Sequence, residues 1–516
     1  MKMKKNFFPG ILNWESMIFS VLIAVIIMGL TAMPVVASKP QLTDMSITDA
    51  VEDELLMDSG VPSHLIDVIT IEGIVTLEGS VDNILAKERA ARIAGIVKGV
   101  RSVVNKIQVN PPILRTDQEI LKDVKDALLY DPATESYEID VKVENNVVTL
   151  SGTVDSWQEK ELCETVTKGV RGVKDVQNRI VFSWPKKRSD YEIKAEVEKA
   201  LKWDALVDHA LIDIKVKDGK VMLNGTVGSA AEKRWASADA YVHGVKSVDD
   251  SGLQVKRWAR DKNLRGKKYA EKTEKEVEDA VKDALFYDPR VSSFKITPEI
   301  AYNGTTVILR GTVDNLKAKR AAAQDARNTV GVITVDNRLK VRPAEFLSDQ
   351  KIENKIVSAL KRDPWVESYE INVDVQNGVA DLYGTVDSYF EKSQADDVAS
   401  RVNGVIIVDN NLVVQNYYTP YVYDPYIDDS YMYDYDWYHY SITYPDKTDL
   451  RIKQDIEKEL WWSPYVNSED ITVTVDKGEA TLTGTVNSWM EYGAAQDNAY
   501  EGGAVYVHNQ LIIKSS

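Results

Sequence analysis

A glycine followed by a hydroxyl residue recurs six times in this chain: "LEGSVDNI" from Leu77, "LSGTVDSW" from Leu150, "LNGTVGSA" from Leu223, "LRGTVDNL" from Leu309, "LYGTVDSY" from Leu382 and "LTGTVNSW" from Leu482. A hydroxyl at a fixed place could serve as a nucleophile in a repeated active site or as a hydrogen-bonding grip in a repeated ligand site. Either use needs other groups converging on it. The remaining residues of catalytic type do not supply them. The five histidines, His64, His209, His243, His439 and His508, fall in different frames and show no metal-ligand spacing. The one cysteine, Cys163, aligns with Ala90, Ala236, Ala322, Ala395 and Ala495 when the motif glycines are superposed. That substitution pattern reads as a small helix residue facing a sheet. The repeated carboxylates sit where helices start, and the pairs Asp131-Pro132, Asp288-Pro289 and Asp363-Pro364 end helices. The sequence therefore predicts no catalytic site, no metal and no cofactor.

The elements around the motif explain it as structure. Gly79, Gly152, Gly225, Gly311, Gly384 and Gly484 are 73, 73, 86, 73 and 100 residues apart, the period of tandem small domains. Upstream of each lies a helix pattern opened by a hydroxyl cap and an acid, such as "TDQEILKDVKDAL" from Thr116, with Ile120, Val124 and Leu128 forming an apolar stripe. Two alternating strands follow around a turn dipeptide: Glu72-Gly73, Asn145-Asn146, Asp218-Gly219, Asn303-Gly304, Asn377-Gly378 or Lys477-Gly478. A second helix begins after the motif. Four copies carry a capping-box pair, Ser156 with Glu159, Ser229 with Glu232, Ser388 with Glu391 and Ser488 with Glu491. A last strand holds an asparagine in five copies: Asn105, Asn178, Asn337, Asn410 and Asn509. The expected glycine role is an unusual φ or a close helix approach where a strand exits.

The fold class is thus α+β: six tandem α-β-β-α-β units, each with two helices on a three-stranded mixed sheet, after an N-terminal hydrophobic segment. Expected boundaries are 43–110, 116–183, 189–257, 273–342, 348–414 and 447–514, with a basic linker at 258–272 and a tyrosine-rich linker at 415–446. Units of this size are marginal alone, which predicts packing between copies.

Composition sets the class of partner. The net charge is −17 over 516 residues, which excludes a general nucleic-acid surface. Residues 1–37 read as a signal peptide or a membrane anchor. Lys2, Lys4 and Lys5 precede the apolar run "IFSVLIAVIIMGL", and Ala37 marks a small-residue cleavage site. A single cysteine suits export to a bacterial periplasm.

These residues resemble the BON domain, the bacterial OsmY and nodulation family. The likeness rests on the L-x-G-[TS]-V turn, the closing G-V-x-x-V-x-N-x-[IL] segment and the element order. Departures are Ala504 after Gly503 and the Asp250-Ser251 ending of copy three, which are expected to weaken the closing strand there. The resemblance implies an exported, non-enzymatic protein that binds phospholipid or envelope surfaces and acts in osmotic stress. Candidate contacts are the aromatics after the first helices, Trp203, Trp365, Trp461 and Trp462, and the basic linker with Lys256, Arg257, Trp258, Arg260, Lys267 and Lys268. The rings could sit at a headgroup boundary or plug the seams between copies. The linker could attract anionic headgroups or simply be solvated. The segment Tyr417 to Tyr444 holds eleven tyrosines and is expected to dock on a partner or a neighbouring copy. Two other functions stand beside lipid binding: a soluble chaperone-like stress protein, and a structural spacer whose shape would be elongated.

Overall fold

The structure, a computed structural model, describes residues 42–514 except 114, 132, 135–138, 185–186, 261–263, 265–267, 269–271, 302–303, 344–346, 416–446 and 464. The N-terminal hydrophobic segment and almost all of the tyrosine-rich linker lie outside the described residues. Residues Thr43–Ser516 form one contact unit containing all six copies, here called modules 1 to 6.

Module 2 shows why each unit folds as it does. Its first helix, Asp117–Tyr130, starts with a capping box: Thr116 accepts from the Glu119 amide, and the Glu119 carboxylate accepts from the Thr116 amide at 2.8 Å. Ile120, Val124 and Leu128 recur every four residues and are buried. The strands Ile139–Glu144 and Val147–Val154 pair antiparallel around Asn145 and Asn146, which hold φ of +52° and +65°. Left-handed backbone at both turn residues matches the twist of the flanking strands, and asparagine tolerates it. The helix Trp157–Lys168 then carries the chain over the sheet to the closing strand Asp175–Phe182, which pairs parallel with the second strand. The hairpin's second strand is central in each of the six sheets.

Three polar devices recur. The acid after the first cap does more than face the positive helix end. Asp117 accepts both turn amides, from Asn145 at 2.9 Å and Asn146 at 2.8 Å, and Asp44, Asp190, Asp349 and Asp449 do the same in modules 1, 3, 5 and 6. The closing-strand asparagine ties strand to helix: Asn178 donates to the Lys160 carbonyl at 3.0 Å and accepts from the Ile180 amide at 3.2 Å. The acid of the second helix reaches one residue beyond the expected capping box. Glu391 accepts from the amides of Asp387 and Glu367, pinning the turn before the first strand as well as the helix start.

The closing strand differs from expectation. Module 6 keeps an unbroken strand, Tyr506–Ile513, despite Ala504, with the Asn509 clamp in place. Module 3 keeps a strand, Ser247–Val255, with a register shift between Asp249 and Gly252. Asp250 there accepts from Ser237 in place of the asparagine clamp. The strand divides instead in modules 1 and 4, at Asn105 and Asn337.

Candidate functional site

The six motif glycines stand within their central strands, each opposite a residue of the first strand, as Gly384 stands opposite Ile371. They take φ from +122° to +140°. In five of them an added Cβ would lie 2.0–2.1 Å from the carbonyl oxygen of the residue before the first strand. The close approach is therefore by the turn that enters the hairpin, not by a helix. Each glycine belongs to its own sheet, so the following hydroxyls do not converge. Cys163 and its five alanine counterparts are fully buried, and burial pushes the Cys163 thiol up to about 12, far from a reactive thiolate.

Three of the candidate membrane rings, Trp203, Trp365 and Trp461, lie at seams between modules. Trp461 and Trp462 are buried, and Lys98 of module 1 lies over the Trp461 ring and donates to its carbonyl. Trp203 packs against the core of module 4. Trp365 sits edge-on to Phe390, 4.8 Å between centroids, while Phe390 also takes Arg89 of module 1 on its face. Trp203, Trp365 and Trp461 border neighbouring modules, while Trp462 packs on Trp461 within its own. Lys268 is buried too, donating to the Val207 carbonyl, so it is not a headgroup contact. Lys256 and Arg257 are exposed, and Trp258 is 57% exposed. Lys267 and the side chain of Arg260 lie outside the described residues.

The seams follow a rule that the sequence does not announce. Just before the glycine that follows the second helix, Lys98, Arg171 and Val330 each meet the end of another module's first helix. Lys98 donates to Trp461, the Arg171 amide to Arg362 at 2.6 Å, and the Val330 amide to Trp203 at 2.8 Å. Module 1 thus pairs with 6, 2 with 5 and 4 with 3. Arg171 adds bonds to the carbonyls of Asp363 and Val366, and Lys458 of module 6 pairs with Asp53 of module 1. Second helices pack across the pairs: Lys317 of module 4 meets Asp397 of module 5 at 2.6 Å, with both side chains buried.

Buried carboxylates at these seams make stability depend on pH. Asp363 closes the turn after its helix by accepting from the Trp365 amide at 2.9 Å and from Gln394 at 2.7 Å. Burial nevertheless pushes its carboxyl up to about 6. A folded pKa raised above the unfolded value of about 3.9 gives stability that grows as pH falls through 6 and is complete below 3.9. Asp363→Asn should flatten the rise in urea midpoint between pH 7 and pH 5. An unchanged slope counts against the assignment.

The open sheet face of module 1 gathers exposed aliphatic side chains at one end. On the helix-free face of the module 1 sheet, Ile69, Thr76 and Val104 lie side by side, and Ile71 pairs with Ile74. Ile69, Ile71, Ile74 and Val104 are 49%, 66%, 38% and 42% exposed. The matching positions hold Lys142, Thr149, Gln177, Glu144 and Val147 in module 2, and Asp374, Asp381, Asp409, Gln376 and Val379 in module 5. Among the described residues, no helix is long and apolar enough to cross a membrane.

Comparison with known proteins places these observations in context. A sequence profile described as BON domain matches residues 43–111, 116–183, 189–257, 273–343, 348–416 and 448–515. The chain is 34% identical over 143 residues to the osmotically-inducible protein Y of Escherichia coli, covering 27% of this chain and 71% of that protein. It is 28% identical over 164 residues to the outer membrane lipoprotein DolP of Haemophilus influenzae, covering 30% and 84%. Among solved structures, CdsD, a structural protein of the Type III secretion system of Chlamydia trachomatis, matches 44% of this chain and 94% of its own, at 14% identity and a TM-score of 0.12.

Proposed function

Because the chain belongs to the BON domain family and carries six copies of that domain, we propose that it is an exported, non-enzymatic envelope protein that binds phospholipid surfaces through the open sheet face of module 1. Relatives named for osmotic induction and for the outer membrane support the envelope setting and a role under osmotic stress. The observation that carries the lipid reading is the row Ile69, Ile71, Ile74 and Val104, four exposed aliphatics gathered at one end of the open face, where module 2 holds Lys142, Glu144 and Gln177 beside Val147. Contiguous exposed aliphatics on a soluble face are contact surface. In sequence, only residues 39–42 separate this module from the apolar N-terminal segment.

Charge restricts the mode of contact. At −17 the chain is repelled by anionic lipid within about 8 Å at physiological salt, so attachment rests on inserted apolar area rather than long-range attraction. Lys256, Arg257 and Trp258 supply a second, salt-sensitive contact. Vesicle co-sedimentation across phosphatidylglycerol content tests this reading. Ile71→Asp with Ile74→Asp should reduce binding at least tenfold, about 1.4 kcal/mol, at every salt concentration. Lys256→Ser with Arg257→Ser should reduce only the low-salt component. A wild-type protein that sediments with no vesicle overturns the reading. The same double aspartate variant, assayed for suppression of client aggregation without lipid, separates the chaperone-like alternative. An elongated spacer fits poorly with six modules bonded into one contact unit.

A further inference from the structure

Where modules 2, 3 and 4 meet, a cavity of about 460 Å³ opens between their helices. Trp157, Trp203 and Tyr287 contribute ring surface to its wall. Seven carboxylates line it against two cations, Lys199 and Arg290. Both cations are already engaged, Lys199 with Asp283 and Arg290 with Asp288 at 2.7 Å. Glu196 accepts from the Tyr287 hydroxyl at 3.2 Å and lies 3.7 Å from Arg188, and Lys268 stands near Asp204. Glu161, Asp239 and Asp325 make no ion pair among the described residues.

Four unsatisfied oxygens on the cavity wall share one chemistry. Oε1 of Gln158, Oδ2 of Asp239, Oε1 of Gln324 and Oδ2 of Asp325 are buried without a hydrogen-bond partner, and all four are acceptors. Gln324 is only 3% exposed, and its amide nitrogen is committed to Asn328 at 2.8 Å, so its oxygen is fixed as the free group. Burial pushes the Asp239 and Asp325 carboxyls up, and repulsion from Asp204 and Asp288 with a hydrogen bond between Asp325 and Asp288 adds to it, against the opposing charges of Lys268 and Arg290. A ligand that relieves this must bring several donors and positive charge. Among the described residues no three His, Cys, Asp or Glu side chains are grouped to hold a metal ion. The acceptors come from four positions on three modules, so the charge they suit is extended rather than a point.

We propose that this cavity binds a linear aliphatic polyamine, its ammonium groups on Asp239 and Asp325, its N–H donors on the glutamine oxygens, and its methylenes against the rings. Rings favour a cation or its carbon chain, and fixed carboxylates set its ends. Calorimetry of the full chain with spermidine in 150 mM salt is the test. One saturable site per chain is expected. Asp239→Asn with Asp325→Asn should weaken it at least tenfold while leaving the melting temperature of the unliganded protein unchanged or higher. Removing two exposed carboxylates of module 2, Asp140→Asn with Glu144→Gln, should leave the affinity unchanged. If the double cavity variant does not fold, Asp239→Asn alone carries the test. Binding that vanishes at 150 mM salt, persists in the cavity variant, or is displaced by equimolar magnesium chloride is diffuse counterion attraction and overturns the proposal.

Discussion

Asp397→Ala should cost about 3–5 kcal/mol of stability, the range for breaking one side of a buried ion pair. Asp397 stands on the second helix of module 5, its side chain 2% exposed, between Lys317 of module 4 at 2.6 Å and Arg401 at 2.9 Å. Burial alone would push its carboxyl up. Arg401 and Lys317 together outweigh burial and hold it well below the usual carboxylate range. Alanine would leave the buried Lys317 and the partly exposed Arg401 with no anion between them. The expected result is a large drop in urea midpoint, followed by tryptophan fluorescence. The double variant Asp397→Leu with Lys317→Met should lose less than Asp397→Ala alone, because it also removes the more buried of the two stranded charges. The sign with pH also follows. A depressed folded pKa contributes stability that is whole above the unfolded value of about 3.9 and is lost as pH falls below it. Equal losses in the single and double variants would show that the pair contributes packing only.

Gly384→Ala should be comparably damaging for a reason of backbone geometry. At φ +135° an L-residue is strained by about 1–3 kcal/mol. Its Cβ would also lie 2.0 Å from the Glu370 carbonyl oxygen, which the first strand cannot move without losing register. A total of about 3 kcal/mol or more is expected. Gly304→Ala provides the contrast. It has positive φ, +73°, but nothing within 4 Å of an added Cβ, so about 1–2 kcal/mol is expected. Near-equal losses at the two sites, read as urea midpoints, would mean that the collision is relieved locally and only φ matters.

Much of each module is legible from residues close in sequence. The stripe Ile120, Val124 and Leu128, the Asn145-Asn146 turn and the Ser388 cap act within one helix or hairpin, and their patterns carry their roles. Asp117 was visible as a first-turn acid, but its grip on a turn 28 residues away depends on how helix and hairpin lie together. The seams are not legible, because their partners are remote: Arg171 and Arg362 are bonded across modules 2 and 5 with no spacing rule to announce them. The tryptophans were readable as large rings in need of cover. Which cover they take, a neighbour or a membrane, is decided by module placement. The cavity of modules 2, 3 and 4 arises the same way, from acids that look like ordinary helix surface in each copy.

The pairing of module 1 with 6, 2 with 5 and 3 with 4 resembles nested parentheses, and it has a consequence for biosynthesis. The innermost pair closes as soon as module 4 emerges, but module 1 waits for the last module to be made before its own seam is covered. Until then, the ends of modules 1 and 2 that bond Trp461 and Arg362 stay uncovered. A ribosome that stalls late leaves the outermost bracket open and the inner two shut.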